Sequence, residues 1–310
     1  MESTTTVGFM DENTTHRYEV VSNELVHLAA LLQLILGYSI IILNSISTFI
    51  MVRSTKMMYS VRIPAINMAI SGILIGTGLL TPNTVELYQR ICLSKTYYLQ
   101  ALYLVSSLII TLMNTDRVLS LLFPFQYSNL MSRKRVRFGC LLCWLIGFLT
   151  PMEENSCQWN DLDTRHTLKW NFGMFSAIIL INILEYCYVI HFAIRAKRGK
   201  MNKKCIKKVS LYTGCFVLFT IPYMTSQLMH VFSTEVSKLL LDLKKVFACF
   251  MFVTPFLNAI LYCLLFTECR LQLIILLCCW NKEFLNRYKT KVKKQMCTYS
   301  ISISKSVPCR

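Results

Sequence analysis

Asp116 and Arg117 stand side by side near the end of a mostly apolar stretch that begins near residue 94. Ionisable side chains are rare in such stretches because removing a charge from water is costly. One interpretation is an anchor, in which Arg117 extends its charge toward lipid headgroups. A second is a two-state switch, in which Asp116 holds Arg117 until another conformation releases it. The pair alone leaves both interpretations open, so the elements that carry it must decide.

The composition predicts that those elements lie in a membrane. Of the 310 residues, 54% are hydrophobic and only 16% are charged, and the mean hydropathy is +0.47. The apolar residues also come in long blocks, which is typical of transmembrane segments rather than of soluble domains.

Seven apolar blocks are each close to the ~20 residues that carry a helix across ~30 Å of hydrocarbon. They run over about 25–52, 62–86, 94–122, 136–152, 171–195, 208–232 and 240–265. The blocks are continuously apolar, whereas the strands of a membrane barrel alternate. The predicted fold class is an all-α membrane protein, a seven-transmembrane helix bundle plus a short interfacial amphipathic helix.

The charge of the connecting segments predicts the orientation of the chain. The net charge is +17, and most Lys and Arg residues lie in four segments, 53–62, 133–137, 195–208 and 270–310. Acidic residues concentrate in the other connections, which matches the positive-inside rule for an extracellular N-terminus. A glycosylation sequon at Asn13 agrees with that orientation. The alternation along the chain, rather than one basic face, argues against nucleic acid as a partner.

These boundaries predict four parts. An extracellular N-terminal tail over 1–24 precedes the membrane domain, 25–265, and a cytoplasmic tail over 281–310 ends the chain. The segment between them, 266–280, is too short to cross the bilayer again. We expect it to form an amphipathic helix in the inner interface, with Arg270 toward water.

Two further features invite a functional interpretation. Glu185 lies near the middle of the fifth block. A carboxylate inside a membrane is a candidate functional residue. Alternatively, Glu185 is protonated or faces a polar gap between helices and has no functional role. At the base of the sixth block, lysines recur at helical spacing: Lys203, Lys204, Lys207 and Lys208. They predict contact with anionic membrane lipids or a cytoplasmic partner, or they serve topology alone.

Several landmarks stand in a fixed order along the chain. Pro124 follows Arg117 by seven residues, with Tyr127 beyond it, and Cys92 precedes Arg117 by 25. The remaining landmarks lie in other blocks: Asn44, Trp144, Phe216 with Pro222 and Tyr223, and Asn258 with Tyr262. This order and spacing resembles the rhodopsin-like (class A) G-protein-coupled receptors over about residues 25–280.

The resemblance implies a receptor rather than an enzyme, with no cofactor or metal. Such a receptor lies in the plasma membrane, binds an extracellular ligand and activates a heterotrimeric G protein. Asp116 would restrain Arg117 until the sixth helix swings outward, and two tyrosines would then support the active state. The implied switch residues are Asp116, Arg117, Tyr188, Tyr262, Asn258 and Pro124.

The resemblance also implies covalent features and further partners. Cys92 would form a disulfide with Cys157 in the second outer loop, and Cys278 and Cys279 occupy the usual place of palmitoylated cysteines. Hydroxyl residues of the tail between 298 and 306 would be phosphorylated by a receptor kinase and read by arrestin.

By position, the ligand pocket would involve Gln100, Tyr103, Tyr223 and Gln227. Leu99 stands where amine receptors carry Asp, and Phe252 stands where opsins carry the retinal Lys. A typical biogenic amine and retinal are therefore disfavoured, which leaves peptide, lipid or chemosensory ligands.

Several positions depart from the family pattern. Gly72 replaces the Asp of the second helix, so we expect no sodium site. Thr220 replaces the Trp of the sixth helix. In the seventh helix Ala259 replaces the usual Pro, while Pro255 stands one turn earlier, which predicts a bend displaced toward residues 251–255.

A membrane transporter or channel is the alternative interpretation. It would predict broken helices and a polar path at mid-membrane. Few ionisable residues lie in the apolar blocks and no internal repeat is visible. An intramembrane protease has still less support, because His191 has no Ser-containing motif beside it.

Overall fold

The computed structural model describes most of the chain as long helices. The described residues are 12–55, 57–81, 95–123, 125–150, 161–195, 203–232 and 238–278, together with 280, 281, 283, 286–288 and 290. Within these ranges there is no strand, which confirms the predicted all-α class.

Nine helices follow one another along the described residues. In chain order they are α1 Glu12–Arg53, α2 Tyr59–Leu80, α3 Lys95–Leu122, α4 Tyr127–Leu130, α5 Arg133–Leu149, α6 Asp161–Arg195, α7 Lys203–Phe232, α8 Lys238–Leu265 and α9 Thr267–Leu277. The seven long helices α1, α2, α3, α5, α6, α7 and α8 carry the seven predicted apolar blocks. Helices α1 and α6 begin about ten residues before their apolar blocks. A helix can extend beyond its apolar part into polar sequence.

Among the described residues, four helices are long and apolar enough by themselves to cross a membrane. Their apolar stretches are His27–Arg53, Tyr59–Leu80, Tyr98–Leu122 and Phe172–His191. Cys249–Leu265 meets Thr267–Leu277 at 94°, and the pair makes a fifth if it is counted as one broken span. Helix α5 has 17 residues and begins with basic side chains. At a rise of ~1.5 Å per residue it covers about 25 Å, slightly less than the hydrocarbon layer.

Helix α3 forms the interior of the bundle. It packs against α2, α5, α6 and α7, while α8 packs between α1 and α7. Residues 101–107 of α3 are buried without interruption, so this helix is covered on all sides. The outer helices instead expose large apolar side chains such as Leu31, Tyr38, Leu149 and Leu218. A belt of exposed apolar surface of this kind fits a protein that faces lipid.

Helix α9 packs against the end of the bundle at which α1 ends. Cys269 is fully buried, with its sulfur 3.8 Å from the sulfur of Met57 and 4.0 Å from the hydroxyl of Ser54. Arg270, next along the chain, is exposed. The helix therefore lies across the ends of α1 and α2 with its basic side chain outward.

Pro255 lies inside α8, which is helical from Lys238 to Leu265. Its carbonyl oxygen accepts a hydrogen bond from the Asn44 side chain of α1 at 3.3 Å. A proline has no backbone N–H to donate to the preceding turn, which favours a bend in the helix. The bend near residues 251–255 stays a prediction.

Helices α1 and α2 approach each other at glycines. A methyl group at Gly76 would lie 2.8 Å from the carbonyl oxygen of Gly37 and 2.7 Å from Cγ1 of Ile41. The first of these atoms belongs to the backbone and has no rotamer by which to move away. Glycine at residue 76 therefore sets the spacing of the two helices.

We expect Gly76→Ala to destabilise the protein by about 1–3 kcal/mol, the usual cost of overpacking. Thermal unfolding of the purified protein in detergent measures the effect as a lower midpoint. Gly214→Ala is the matched control, because a methyl group there meets nothing within 4 Å and alanine favours the helix. Equal midpoints for the two variants would contradict the proposed backbone contact.

Candidate functional site

The Asp116–Arg117 pair lies in the last two turns of α3, where a short loop leads to α4. The Tyr127 hydroxyl at the start of α4 donates a hydrogen bond to Oδ1 of Asp116 at 2.6 Å. The same hydroxyl lies 3.1 Å from Oγ of Ser60 in α2. Three elements thus converge on one carboxyl group, which is only 1% exposed.

Arg117 is held less tightly than Asp116. Its Nε lies 3.8 Å from Oδ2 of Asp116, and its side chain is 26% exposed. Within the described part of the chain, Oδ2 has no hydrogen-bond partner despite being buried. The arginine is therefore attracted by the carboxyl group but not locked to it, as a releasable restraint requires.

Tyr127 remains a hydrogen-bond donor over a wide pH range. Burial, and then the hydrogen bond to Asp116, raise the pKa of Tyr127 to about 12. At neutral pH its hydroxyl therefore keeps its proton and can donate it toward the Asp116 carboxyl group.

The other switch candidates lie deeper or farther along the bundle. Tyr262 of α8 is 1% exposed, and its hydroxyl lies 2.8 Å from the sulfur of Met113 and 3.8 Å from that of Met68. Asn258, one turn earlier, lies 3.9 Å from the same Met68 sulfur. Tyr188 is half-buried on α6.

Three of the four predicted pocket residues lie together between α3 and α7. The side-chain amide of Gln100 donates to the Tyr223 hydroxyl at 2.9 Å. One turn deeper, the Tyr103 hydroxyl lies 2.6 Å from Oγ1 of Thr220, and the Tyr103 ring stacks on Phe216 at 6.4 Å between centroids. The side chain of Gln227, the fourth candidate, lies outside what the structure describes.

Thr220 has a role that the sequence pattern did not reveal. Where the family has a tryptophan, its hydroxyl bonds both Tyr103 and, at 2.6 Å, the carbonyl oxygen of Phe216. Thr254 of α8 faces the same Tyr103 hydroxyl. The missing aromatic ring is thus replaced by a polar contact between α3 and α7.

Gly72 is also explained by its surroundings. A methyl group at this position would lie 2.7–2.8 Å from the side-chain atoms of Asn44. Asn44 donates to the carbonyl oxygens of Ile40 and Pro255, so it is not free to move away. Because residue 72 is a glycine, space remains beside it for the Asn44 side chain, which links α1 to α8.

The landmark Trp144 and the intramembrane Glu185 both have partners on other helices. Trp144 Nε1 donates to Oδ1 of Asn67 in α2 at 3.0 Å. Thr115 of α3 donates to Oε1 of Glu185 at 2.6 Å. The sequence could not supply this partner because 70 residues separate the two.

The sequence analysis missed two kinds of candidate residue. Asn114 of α3 donates a hydrogen bond to Asn182 of α6 at 2.7 Å, and both amide side chains are buried. The sequence feature that could have identified them is an amide side chain inside an apolar block. Phe125, 96% exposed in the loop after α3, gave no signal, because exposure follows from the fold.

Some predicted features lie outside the described residues. They are Cys92, Cys157, Pro124 and Cys279, together with the side chains of Asn13, Lys203, Lys204, Lys207 and Lys208 and the tail from residue 291. Cys278, the other predicted palmitoylation position, is half-buried at the end of α9.

A bundle of long helices with several apolar stretches of membrane length is typical of a multi-pass membrane protein. The chain belongs to the family described as 7 transmembrane receptor (rhodopsin family), which matches residues 43–262. The match runs from α1 to α8, and it confirms the predicted seven-transmembrane bundle and the receptor class in place of an enzyme or a transporter.

Similar proteins agree with this assignment. Olfactory receptor 51A7 of Homo sapiens is 26% identical over 212 residues, covering 58% of this chain and 66% of that receptor. Olfactory receptor 51A4 of Homo sapiens is 20% identical, covering 63% and 70%. Cysteinyl leukotriene receptor 1 of Homo sapiens is 24% identical, covering 46% and 48%. The chain thus spans just under two thirds of the first relative and about half of the third.

We expect Tyr127→Phe to lower the free energy of unfolding by about 1–3 kcal/mol. The substitution leaves a buried oxygen of Asp116 without its donor, and an unsatisfied buried group carries a cost of this size. Thermal unfolding of the purified receptor is the measurement.

Tyr38→Phe is the matched control, because Tyr38 is 61% exposed on α1. If Tyr127→Phe has the same unfolding midpoint as Tyr38→Phe and the wild type, then the Tyr127 hydroxyl does not stabilise the junction between α3 and α4.

Proposed function

We propose that the chain is a plasma-membrane receptor that binds an extracellular ligand and activates a heterotrimeric G protein. The observation that carries the proposal is the loose restraint of Arg117. Its Nε lies 3.8 Å from the Asp116 carboxyl group, which accepts a hydrogen bond from Tyr127, and the Tyr127 hydroxyl in turn contacts Ser60. An ion pair of this kind has two accessible states, and a ligand can bias them only if it prefers one.

The orientation of the chain follows from charge. Segments 53–62, 133–137 and 195–208 are basic, and they adjoin the ends of the helices at which Arg117 lies. The positive-inside rule puts this end in the cytoplasm. Arg117 then faces the compartment that contains G proteins, and the N-terminal tail with Asn13 is extracellular and glycosylated.

An exposed aromatic side chain supports a docking surface at that end. Phe125 is 96% exposed and Phe123 is 46% exposed in the loop that follows α3. Exposed aromatic side chains at a rim are the usual anchors of protein interfaces. The loop is eight residues from Arg117, so one partner can contact Phe125 and the released arginine together.

The ligand that the outer half favours is small and uncharged. Leu99 and Phe252, at positions where other receptors carry charge, are 7% and 4% exposed and apolar. Gln100 and Tyr223 supply neutral hydrogen-bonding groups between α3 and α7. The relatives are named as olfactory and leukotriene receptors, which favours chemosensory or lipid ligands over peptides.

The remaining assignments complete the proposal. The Cys92–Cys157 disulfide closes the extracellular entrance, and palmitate on Cys278 and Cys279 anchors the α9 end to the inner leaflet. Trp280, which is 79% exposed beside these cysteines, supports a membrane contact there. The tail over 281–310 would be the substrate of a receptor kinase and the ligand of arrestin.

The proposal is tested in cells that express the receptor, with a panel of neutral lipids and volatile organic compounds and a G-protein activation readout. We expect at least one compound to activate the wild type, and Arg117→Ala to reduce that response about tenfold or more, as loss of a buried interfacial charge does. Cell-surface staining checks that both proteins reach the membrane. Uptake of a compound without G-protein activation would instead indicate a transporter.

Phe125→Ala is expected to weaken G-protein activation about fivefold, the effect of removing an aromatic anchor, without changing the affinity for ligand. Phe138→Ala is the control, since Phe138 is also exposed, at 60%, but on α5. A loss of ligand affinity with Phe125→Ala, or an equal loss of signal in both variants, would contradict the docking role.

A further inference from the structure

The predicted ligand pocket contains two hydrogen-bonded pairs of side chains between α3 and α7, one pair deeper than the other. The outer pair is Gln100 with Tyr223 at 2.9 Å, and the inner pair is Tyr103 with Thr220 at 2.6 Å. Amide and hydroxyl groups have fixed numbers of donors and acceptors. The groups that are already used in these pairs therefore indicate which kind of ligand the pocket favours.

The inner pair is satisfied within the protein. Thr220 donates its hydroxyl hydrogen to the carbonyl oxygen of Phe216 at 2.6 Å, so the hydrogen between Thr220 and Tyr103 comes from the tyrosine. Both hydroxyl hydrogens are thereby used, and both side chains are 0% exposed. The inner pair thus forms a closed floor beneath the pocket.

The outer pair leaves one group unused, the carbonyl oxygen of the Gln100 side chain. Nε2 of Gln100 donates to the Tyr223 hydroxyl. Oε1 of Gln100 is buried, and none of the residues that the structure describes donates a hydrogen bond to it. A buried acceptor without a donor is costly. A molecule that brings a donor to this oxygen therefore gains free energy that a molecule without a donor does not.

The position of Gln100 lets a ligand reach this oxygen from the outer side. The Gln100 side chain is half-buried, whereas Tyr103, one turn deeper, is fully buried. Gln100 thus lies at the boundary between the closed floor and the outer part of the bundle. The last torsion angle of a glutamine has broad minima, so a small rotation turns Oε1 toward a ligand while the bond to Tyr223 is kept.

The neighbouring side chains determine which donors are suitable. Leu99, Phe175 and Met224 are apolar and belong to the same buried cluster as Tyr103 and Tyr223. A charged donor such as an ammonium group would have to leave water beside them, which is costly without a buried counter-charge. A neutral donor on an apolar body avoids this cost.

We propose that the ligand is a neutral alcohol, whose hydroxyl group donates a hydrogen bond to Oε1 of Gln100 and whose apolar part packs above Tyr103. An alcohol is favoured over a carboxamide, which also brings a carbonyl oxygen that must leave water. Tyr223 is a positioning residue, because it holds the Gln100 amide by its nitrogen. The inference rests on the proposed function, since it names the class of ligand for the same pocket.

Matched compounds test this selection. Straight-chain alcohols of increasing length are each compared with the ketone and the methyl ether of the same length, which accept hydrogen bonds but do not donate them. Short chains represent volatile alcohols, and long chains represent lipid alcohols. Affinity is measured from the shift of the unfolding midpoint of the full-length receptor in lipid nanodiscs, and G-protein activation is measured in cells.

We expect at least one alcohol to bind about ten- to a hundredfold more tightly than its ketone and its methyl ether, because only the alcohol pairs the buried oxygen. Gln100→Leu removes this oxygen and should reduce the preference to about twofold or less. Gln33→Leu is the matched control, because Gln33 is also a half-buried glutamine, but on α1. It should keep the preference of the wild type.

Gln100→Glu gives a test by gain of affinity, which a folding defect does not produce. A carboxylate at this position attracts a positively charged donor, so the primary amine with the same chain should bind about tenfold more tightly than it binds the wild type. The alcohol should lose affinity in the same variant.

Tyr223→Phe tests the positioning role. The variant keeps Oε1 of Gln100 but frees the amide to rotate, so the preference for the alcohol over the ketone should fall. A purely structural role of Tyr223 would weaken both compounds equally and would contradict the positioning of the amide.

Three results would overturn the inference. One is a ketone or ether that binds more tightly than its alcohol, because the Gln100 amide would then present its N–H groups to the ligand. Another is the same preference for the alcohol in Gln100→Leu and the wild type. The third is a lack of binding by every alcohol of the series.

Failure of the inference and failure of the proposed function give different results. Alcohols that bind with the expected preference but activate no G protein support the inference and contradict the function. Activation by compounds without a hydroxyl group, unchanged in Gln100→Leu, supports the function and contradicts the inference.

Discussion

Hydrocarbon offers a side chain no hydrogen bonds, and it gives apolar helices little reason to meet one another. The arrangement of this bundle therefore depends on polar contacts between helices, and α3 is where they converge. Its residues 101–107 are buried without interruption. Around and below this stretch α3 bonds α2 through Ser106, α6 through Asn114 and α7 through Tyr103. Three neighbouring helices are thus tied to α3 by hydrogen bonds, so a change at the opposite end of α3 has a physical route to Arg117.

At two positions that depart from the family pattern, other contacts between helices take the place of the usual ones. Gly72 leaves the space that Asn44 fills while it bonds the Pro255 carbonyl oxygen. Thr220 exchanges the stacking of a large ring for a hydrogen bond to Tyr103. Both changes replace one way of linking helices by another, so the bundle keeps contacts between these helices although the side chains differ from the family pattern.

The sequence was most informative where a local pattern carries the physics. Apolar blocks of membrane length predicted the helices, and fixed spacings from Arg117 predicted the family. It was least informative for Glu185, Asn114 and Asn182. Each is a single polar residue in an apolar block, and its partner lies about 70 residues away. Spacing along one helix shows which residues share a face, but it does not show which neighbouring helix that face meets.

The sequence by itself determined the class of fold, the family and the position of the Asp116–Arg117 pair, because hydropathy and motif spacing are properties of the linear chain. Only the tertiary structure decided how Asp116 is held, by the Tyr127 hydroxyl that Ser60 contacts, and which residues of other helices α3 bonds. The physical reason is that a hydrogen bond depends on distances of a few tenths of an ångström between helices. Those distances follow from the packing of the whole bundle.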